Sequence, residues 1–224
     1  MLPPIIEVND LSFAYGNQPA LLNGCNLNIK HAERWHLYGE NGSGKSTLFH
    51  LLLRLIPWQS GTYCVEGTAV SSNKDHLWLR HKIGLLTQDA KNHLFCPTIG
   101  DDCRFGPLNH GCSFTIAEER TQHYLSELGM IDYINSPAAQ LSGGQIQRAA
   151  LAAILCCENI LLLLDEPSTG LDKRASEYVI NALNNYTGSI IITSHDEAFG
   201  NRINCNKCSL NHGQIKFSDL KQLP

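Results

Sequence analysis

The sequence has no apolar run long enough to cross a bilayer as a helix. About 18 consecutive apolar residues are needed, and the longest run, Ala149 to Cys157, has nine. Any membrane role is therefore expected to come through a partner. A basic excess is missing too: 17 Lys and Arg stand against 21 Asp and Glu, a net charge of −4. Nucleic-acid binders ordinarily carry a basic face, so no nucleic-acid partner is expected. The opening Met1-Leu2-Pro3-Pro4 has neither the charged nor the apolar segment of a secretory signal, and a cytosolic setting is expected. Internal repeats and low-complexity tracts are absent as well.

What is present is a chain of 224 residues, 43% of them hydrophobic. That suffices for one α/β domain with an insertion, or for two small subdomains. Nine cysteines are irregularly spaced, and in a cytosolic chain they act mainly as small, reduced, buried apolar residues. Cys205-x₂-Cys208 with His212 resembles a metal knuckle without a clear fourth ligand. A β-turn near the C-terminus is expected there instead.

Alternation predicts strands at Ile5 to Phe13 and Cys25 to Ile29, forming an N-terminal antiparallel β-subdomain. Arg34 to Tyr38 reads as a strand entering a Gly-rich loop. Thr47 to Ile56 reads as a buried helix ended by Pro57. Strands are predicted at Gly61 to Val65 and Lys82 to Thr87. From Asp89 the composition shifts to Pro, Asn, His and Gly as far as Gly111; helical spacing follows from Ile116 to Leu128. Ser142 to Cys157 reads as a helix capped by Ser142. Ile160 to Leu164 and Ser189 to Thr193 are continuous apolar runs, as in strands covered on both faces, and Ala175 to Tyr186 is helical between them. The order predicts an α/β fold with a mostly parallel sheet. Residues 1–88 and 142–224 form its core, and 89–141 a helical insertion.

Gly39-Glu40-Asn41-Gly42-Ser43-Gly44-Lys45-Ser46 fits the phosphate-binding pattern G-x₄-G-K-[ST]. Glycines let backbone N–H groups wrap around phosphates. Lys45 reaches the β- and γ-phosphates, Ser46 offers a hydroxyl to Mg²⁺, and the helix start at Lys45 to Thr47 points its dipole at the same anion. Asp165-Glu166 closes the apolar strand at 160–164. Carboxyl ends of parallel strands face the ligand, so Asp165 is placed to hold Mg²⁺ and Glu166 to polarise the attacking water. His195 follows another apolar strand and is placed to bond the γ-phosphate. Gln88 also ends a strand, within reach of Mg²⁺ or the attacking water. Tyr15 offers a ring face for adenine.

Leu141-Ser142-Gly143-Gly144-Gln145 is the most specific segment. Five fixed letters match a given position by chance with probability on the order of 10⁻⁶. A serine cap and two glycines at a helix start form a second phosphate cradle. One chain already has a cradle at 39–46, so the second makes sense if it serves a nucleotide bound to another subunit.

On Tyr15, the 39–46 loop, Gln88, the 141–145 segment, Leu163-Leu164-Asp165-Glu166-Pro167, Ser168-Thr169-Gly170-Leu171-Asp172 and His195, the chain resembles ATP-binding cassette ATPases over nearly its full length, 5–224. The resemblance implies a P-loop ATPase fold with ATP and Mg²⁺ as cofactors. It also implies head-to-tail dimerisation around two ATP molecules, with a second copy or a related ATPase, and a peripheral position on the cytoplasmic face of the membrane beside a transmembrane subunit. Gln88 through Asp102, with Leu94-Phe95-Cys96-Pro97-Thr98-Ile99, and Phe105-Gly106-Pro107 are similar to the ATPases of energy-coupling factor transporters and cobalt or nickel importers. There Phe95 and Pro97 would help form the surface on which the membrane subunit docks. Trp35-His36 departs from the pattern, in a strand that is usually aliphatic, and so does Lys30-His31-Ala32-Glu33. A soluble repair or translation ATPase is the alternative, but neither a long coiled coil nor a second cassette is present. The transported substrate, a metal ion or a vitamin, has left no mark on the chain.

Overall fold

The computed structural model describes residues 2–71 and 75–217. The end of the 142–224 segment therefore lies outside the described residues. Strands β1 (Ile6–Phe13) and β2 (Leu22–Ile29) form a hairpin, and β3 (Arg34–Tyr38) leads through the glycine loop into α1 (Lys45–Leu52). Then follow β4 (Ser60–Val65), β5 (Thr68–Ala69), α2 (His76–Lys82) and β6 (Ile83–Leu86). The middle of the chain is helical, with α3 (Ile99–Asn109), α4 (Phe114–Glu127) and α5 (Gly143–Leu155). Beyond it lie β7 (Leu161–Asp165), α6 (Lys173–Asn185), β8 (Ser189–Thr193), α7 (Glu197–Arg202), β9 (Asn206–Asn211) and β10 (Gln214–Phe217).

Two sheets result. The smaller is antiparallel, in the order β2-β1-β4-β5. The larger has the order β10-β9-β3-β8-β7-β6, parallel from β9 to β6, with β10 antiparallel at its edge. The apolar runs at β7 and β8 are explained by two-sided burial. Leu161 and Leu163 enter one core with β1, β2 and α1, while Leu162 and Leu164 enter another with α5 and α6. Ile191 and its neighbours Ile190 and Ile192 divide in the same way. Each fully buried leucine stabilises the fold by about 1.5–3 kcal/mol, so both layers are fastened to the strands that end at the site.

The structure corrects several expectations. The helix expected at Thr47 to Ile56 starts at Lys45 and ends at Leu52. The chain turns at Arg54, whose φ is +56°, before Pro57 is reached. The glycine-rich composition of 99–109 conceals a helix, α3, capped by Thr98. Its glycines mark close packing: a Cβ on Gly100 would stand 2.7 Å from Ile134 Cγ1, and one on Gly106 2.3 Å from Cys157 Sγ. Of the Cys205-to-His212 stretch, for which a β-turn near the C-terminus is expected, Asn206–Asn211 is a strand, β9, with Cys208 buried in it. The turn falls at the end of that stretch, at His212 and Gly213, both at positive φ, and joins β9 to β10. Cys25, Cys103, Cys156 and Cys208 are buried, the other five cysteines are half-buried, and all nine are free thiols. The helical segment shares its core with the sheet: Ile99, Cys103 and Leu125 cluster with Leu86, Leu151 and Leu164.

Candidate functional site

The carboxyl ends of β3, β6, β7 and β8 meet at one cleft of about 610 Å³. The phosphate loop forms its floor. Gly44, at φ +103°, caps α1 in a conformation that side-chain-bearing residues rarely adopt. A Cβ on Gly39 would stand 2.7 Å from the Leu210 carbonyl oxygen, so the loop lies hard against β9. Lys45 Nζ donates to the carbonyls of Gly39 (2.7 Å) and Glu40 (3.0 Å), which curls the ammonium back over the loop.

Asn41, Gly42, Gly44, Lys45, Ser46 and Thr47 line the cleft, with Gln88, Asp165, Glu166 and His195 opposite and Tyr15 at its rim. Ser46 Oγ donates to Asp165 Oδ2 at 2.5 Å. Thr193 Oγ1 donates to the other carboxylate oxygen, so Asp165 is held from both sides. Its hydroxyl and carboxylate neighbours are hard oxygen donors of the kind that suits Mg²⁺. Glu166 has φ +53°, and its N–H donates to the Thr193 carbonyl at 3.0 Å. The His195 N–H donates to Glu166 Oε2 at 3.4 Å, and His195 Nε2 lies 3.6 Å from Oε1. Burial raises the Glu166 carboxyl above the usual carboxylate range; the His195 N–H and ring oppose the rise, Asp165 adds to it and Lys45 opposes it. The Tyr15 ring is 45% exposed, and its hydroxyl sits 3.1 Å from Thr47 Oγ1.

Glu40 is exposed beside the cleft and Ser43 is half-buried; Gly39, Glu40 and Ser43 shape the loop without lining the cavity. The signature segment is elsewhere. Ser142, Gly143, Gly144 and Gln145 do not line this cleft. Ser142 and Gln145 instead form a reciprocal cap: Ser142 N–H donates to Gln145 Oε1 at 2.8 Å, and Gln145 N–H to Ser142 Oγ at 3.4 Å. Ser142 and Gly143 are exposed, and a Cβ on Gly143 would meet nothing within 4 Å. One turn further along α5, Gln147 Nε2 donates to the Pro167 carbonyl at 3.3 Å, joining the signature helix to the segment after Glu166.

Residue reading missed several contributors. Gln18 and Leu21 line the cleft from the β1–β2 connection, and Leu21 packs under Gly44. Nothing in their spacing marks them. Thr193 was visible only as the end of an apolar strand. Gln88 owes its place partly to His93, whose Nε2 accepts from the N–H of Thr87 at 3.0 Å. Beyond the cleft, Phe95 is 65% exposed and meets Phe105 edge-on at 5.0 Å. Asp102 Oδ1 accepts from the N–H groups of Phe95 and Cys96, each at 2.9 Å, which fixes the turn that presents Phe95.

Residues 22–169 match the family model described as ABC transporter. The chain is 37% identical over 196 residues to "Energy-coupling factor transporter ATP-binding protein EcfA" of Methanothermobacter thermautotrophicus, covering 86% of this chain and 63% of that protein's length. It is 36% identical to the protein of the same description in Methanocaldococcus jannaschii, covering 86% and 70%. Among solved structures it resembles cbiO1 of Clostridium perfringens, described as part of the ABC transporter complex cbiONQ, with TM-score 0.83, 30% identity and coverage of 96% and 88%. A dimeric ATP-binding cassette bound to ADP and phosphate shares the fold, with TM-score 0.84 at 23% identity over 94% and 96%. By the family match and these relatives, the chain belongs to the nucleotide-binding ABC transporter family.

Proposed function

We propose that this chain is the ATP-binding and ATP-hydrolysing subunit of an energy-coupling factor type transporter, powering uptake of a metal ion or vitamin through a separate membrane subunit. The observation that carries the reading is the division of labour in the structure. Lys45, Ser46, Asp165, Glu166 and His195 converge on one cleft, while the capped, exposed Ser142-Gly143 start of α5 is not among the residues that line it. A site split in this way is completed by a second subunit, a copy of this chain or a related one, whose signature segment closes over the nucleotide.

The geometry supports the following roles. Backbone N–H groups of 39–46 and the start of α1 receive the phosphates, and Tyr15 receives the base. Lys45 neutralises charge on the β- and γ-phosphates. Ser46, Asp165 and Gln88 would hold Mg²⁺, which supplies charge neutralisation at the transferring phosphoryl group. Glu166 orients and polarises the attacking water, and His195, within reach of Glu166, contacts the γ-phosphate. Phosphoryl transfer needs mainly such positioning and charge stabilisation. The exposed Phe95, Pro97 and Phe105 form the face for the membrane subunit, on the cytoplasmic side. No helix among the described residues is long and apolar enough to cross a membrane.

Glu166→Gln tests the reading. The variant should bind ATP as the parent does, lose at least about 100-fold in hydrolysis, and run as an ATP-dependent dimer in size-exclusion chromatography. A variant that stays monomeric with ATP, even beside its membrane partner, would overturn the composite site.

A further inference from the structure

A histidine inside a parallel sheet calls for an explanation. His36 lies on β3, three residues before Gly39, and is 1% exposed. A buried polar ring costs free energy unless it is hydrogen-bonded. Nε2 of His36 lies 2.9 Å from the carbonyl oxygen of Ser194. A carbonyl only accepts, so Nε2 carries the proton. Burial lowers the pKa of the ring below the usual histidine value, with the Ser194 bond opposing. The neutral imidazole thus has one N–H, and it goes to Ser194. Nδ1 has no hydrogen-bond partner among the described residues. It faces Gly200 in α7, where a Cβ would stand 2.1 Å from it, so the ring fills the space that glycine leaves. On its other side it stacks on Tyr38 at 3.8 Å.

The imidazole therefore touches both flanks of the 194–200 segment, and His195 lies between those contacts. Asp196 N–H donates to Ser194 Oγ at 3.0 Å, which ties the turn to itself. His36 ties it to the strand that carries the phosphate loop. We infer that His36 is a positioning residue: by donating to the Ser194 carbonyl and filling the space at Gly200, it fixes the turn that aims His195 at the γ-phosphate. This rests on the assignment of His195 made above.

The test separates a hydrogen-bonding role from filler. His36→Val removes the N–H and keeps apolar bulk. Loss of one buried hydrogen bond predicts about a 5- to 10-fold fall in kcat for ATP hydrolysis by the full chain, with the KM for ATP within about twofold of the parent, since the phosphate loop is untouched. His36→Gln, whose amide N–H can reach the same carbonyl, should recover most of the rate. His36→Asn, too short to reach, should not. Gly200→Ala forces its Cβ against the ring and should lower both kcat and Tm. Combined with His36→Val the collision is gone, so Tm recovers while kcat stays low. Wild-type kcat in His36→Val, or recovery of kcat together with Tm in the double variant, would overturn the inference and leave His36 as packing. His195→Ala is the reference. If it leaves kcat unchanged, the reading of the site itself fails; if it cuts kcat while His36→Val does not, only the role of His36 fails.

Discussion

In the proposed role Glu166 must be ionised to polarise water, and its surroundings resist ionisation. Burial holds its carboxyl above the usual 4.5, only partly offset by His195 and Lys45. A carboxyl raised in the folded state contributes stability that is present below its unfolded pKa and is lost as pH rises through the folded value. Above that value the folded protein carries a carboxylate it would rather not ionise. Glu166→Gln, which cannot ionise, should therefore melt at a higher temperature than the parent near pH 8. The gain should shrink to nothing below about pH 4. Equal melting curves at both pH values would remove this account of strain at the site. The carboxylate pair was legible in the sequence because it ends an apolar run. The tension between the two carboxylates was not, because it depends on Thr193 and His195 at the end of β8 and on Lys45 at the start of α1.

At the scale of elements, the proposed function gives α5 two duties at its first turn. Ser142 and Gln145 cap it, and in the proposed function the exposed Ser142 and Gly143 also serve another subunit's nucleotide. Ser142→Ala should cost about 1 kcal/mol in urea unfolding, as other lost caps do, but should reduce ATPase far more than that destabilisation explains. Ser113 supplies the control. It caps α4 through the Ile116 N–H at 3.3 Å, away from the cleft, so Ser113→Ala should show a similar stability loss and nearly intact ATPase. Equal ATPase losses in the two variants would reduce the signature serine to a cap. The caps, the apolar strands and the phosphate loop were readable because each is local. Helix α3 was not, since Gly100, Gly106 and Pro107 look like loop residues until Ile134 and Cys157 are seen pressed against them.

In the whole molecule, the nucleotide cleft and the apolar face lie on either side of one short connection. Gln88 lines the cleft, and seven residues later Phe95 is exposed, with its backbone pinned by Asp102. Phe95→Ala should therefore leave any ATPase of the isolated subunit intact and lower ATPase in the assembled transporter, measured on the same preparation. Equal losses in both states would mean that Phe95 supports the fold and does not receive the membrane subunit. The sequence by itself determined the chemistry: a phosphate loop, a carboxylate pair and a signature helix are each short, contiguous patterns whose glycines, caps and apolar neighbours have local physical reasons. The tertiary structure decided which of them share a site. The parallel order of β3, β8, β7 and β6 brings the strand ends that lead into Lys45, His195, Asp165 and Gln88 to one cleft. Packing of α5 on the opposite core layer leaves the signature outside it. Burial of His36 beneath Ser194 is likewise a product of strand pairing and of a glycine 164 positions away. Contacts over such separations depend on how sheet and helices pack, which no local pattern records.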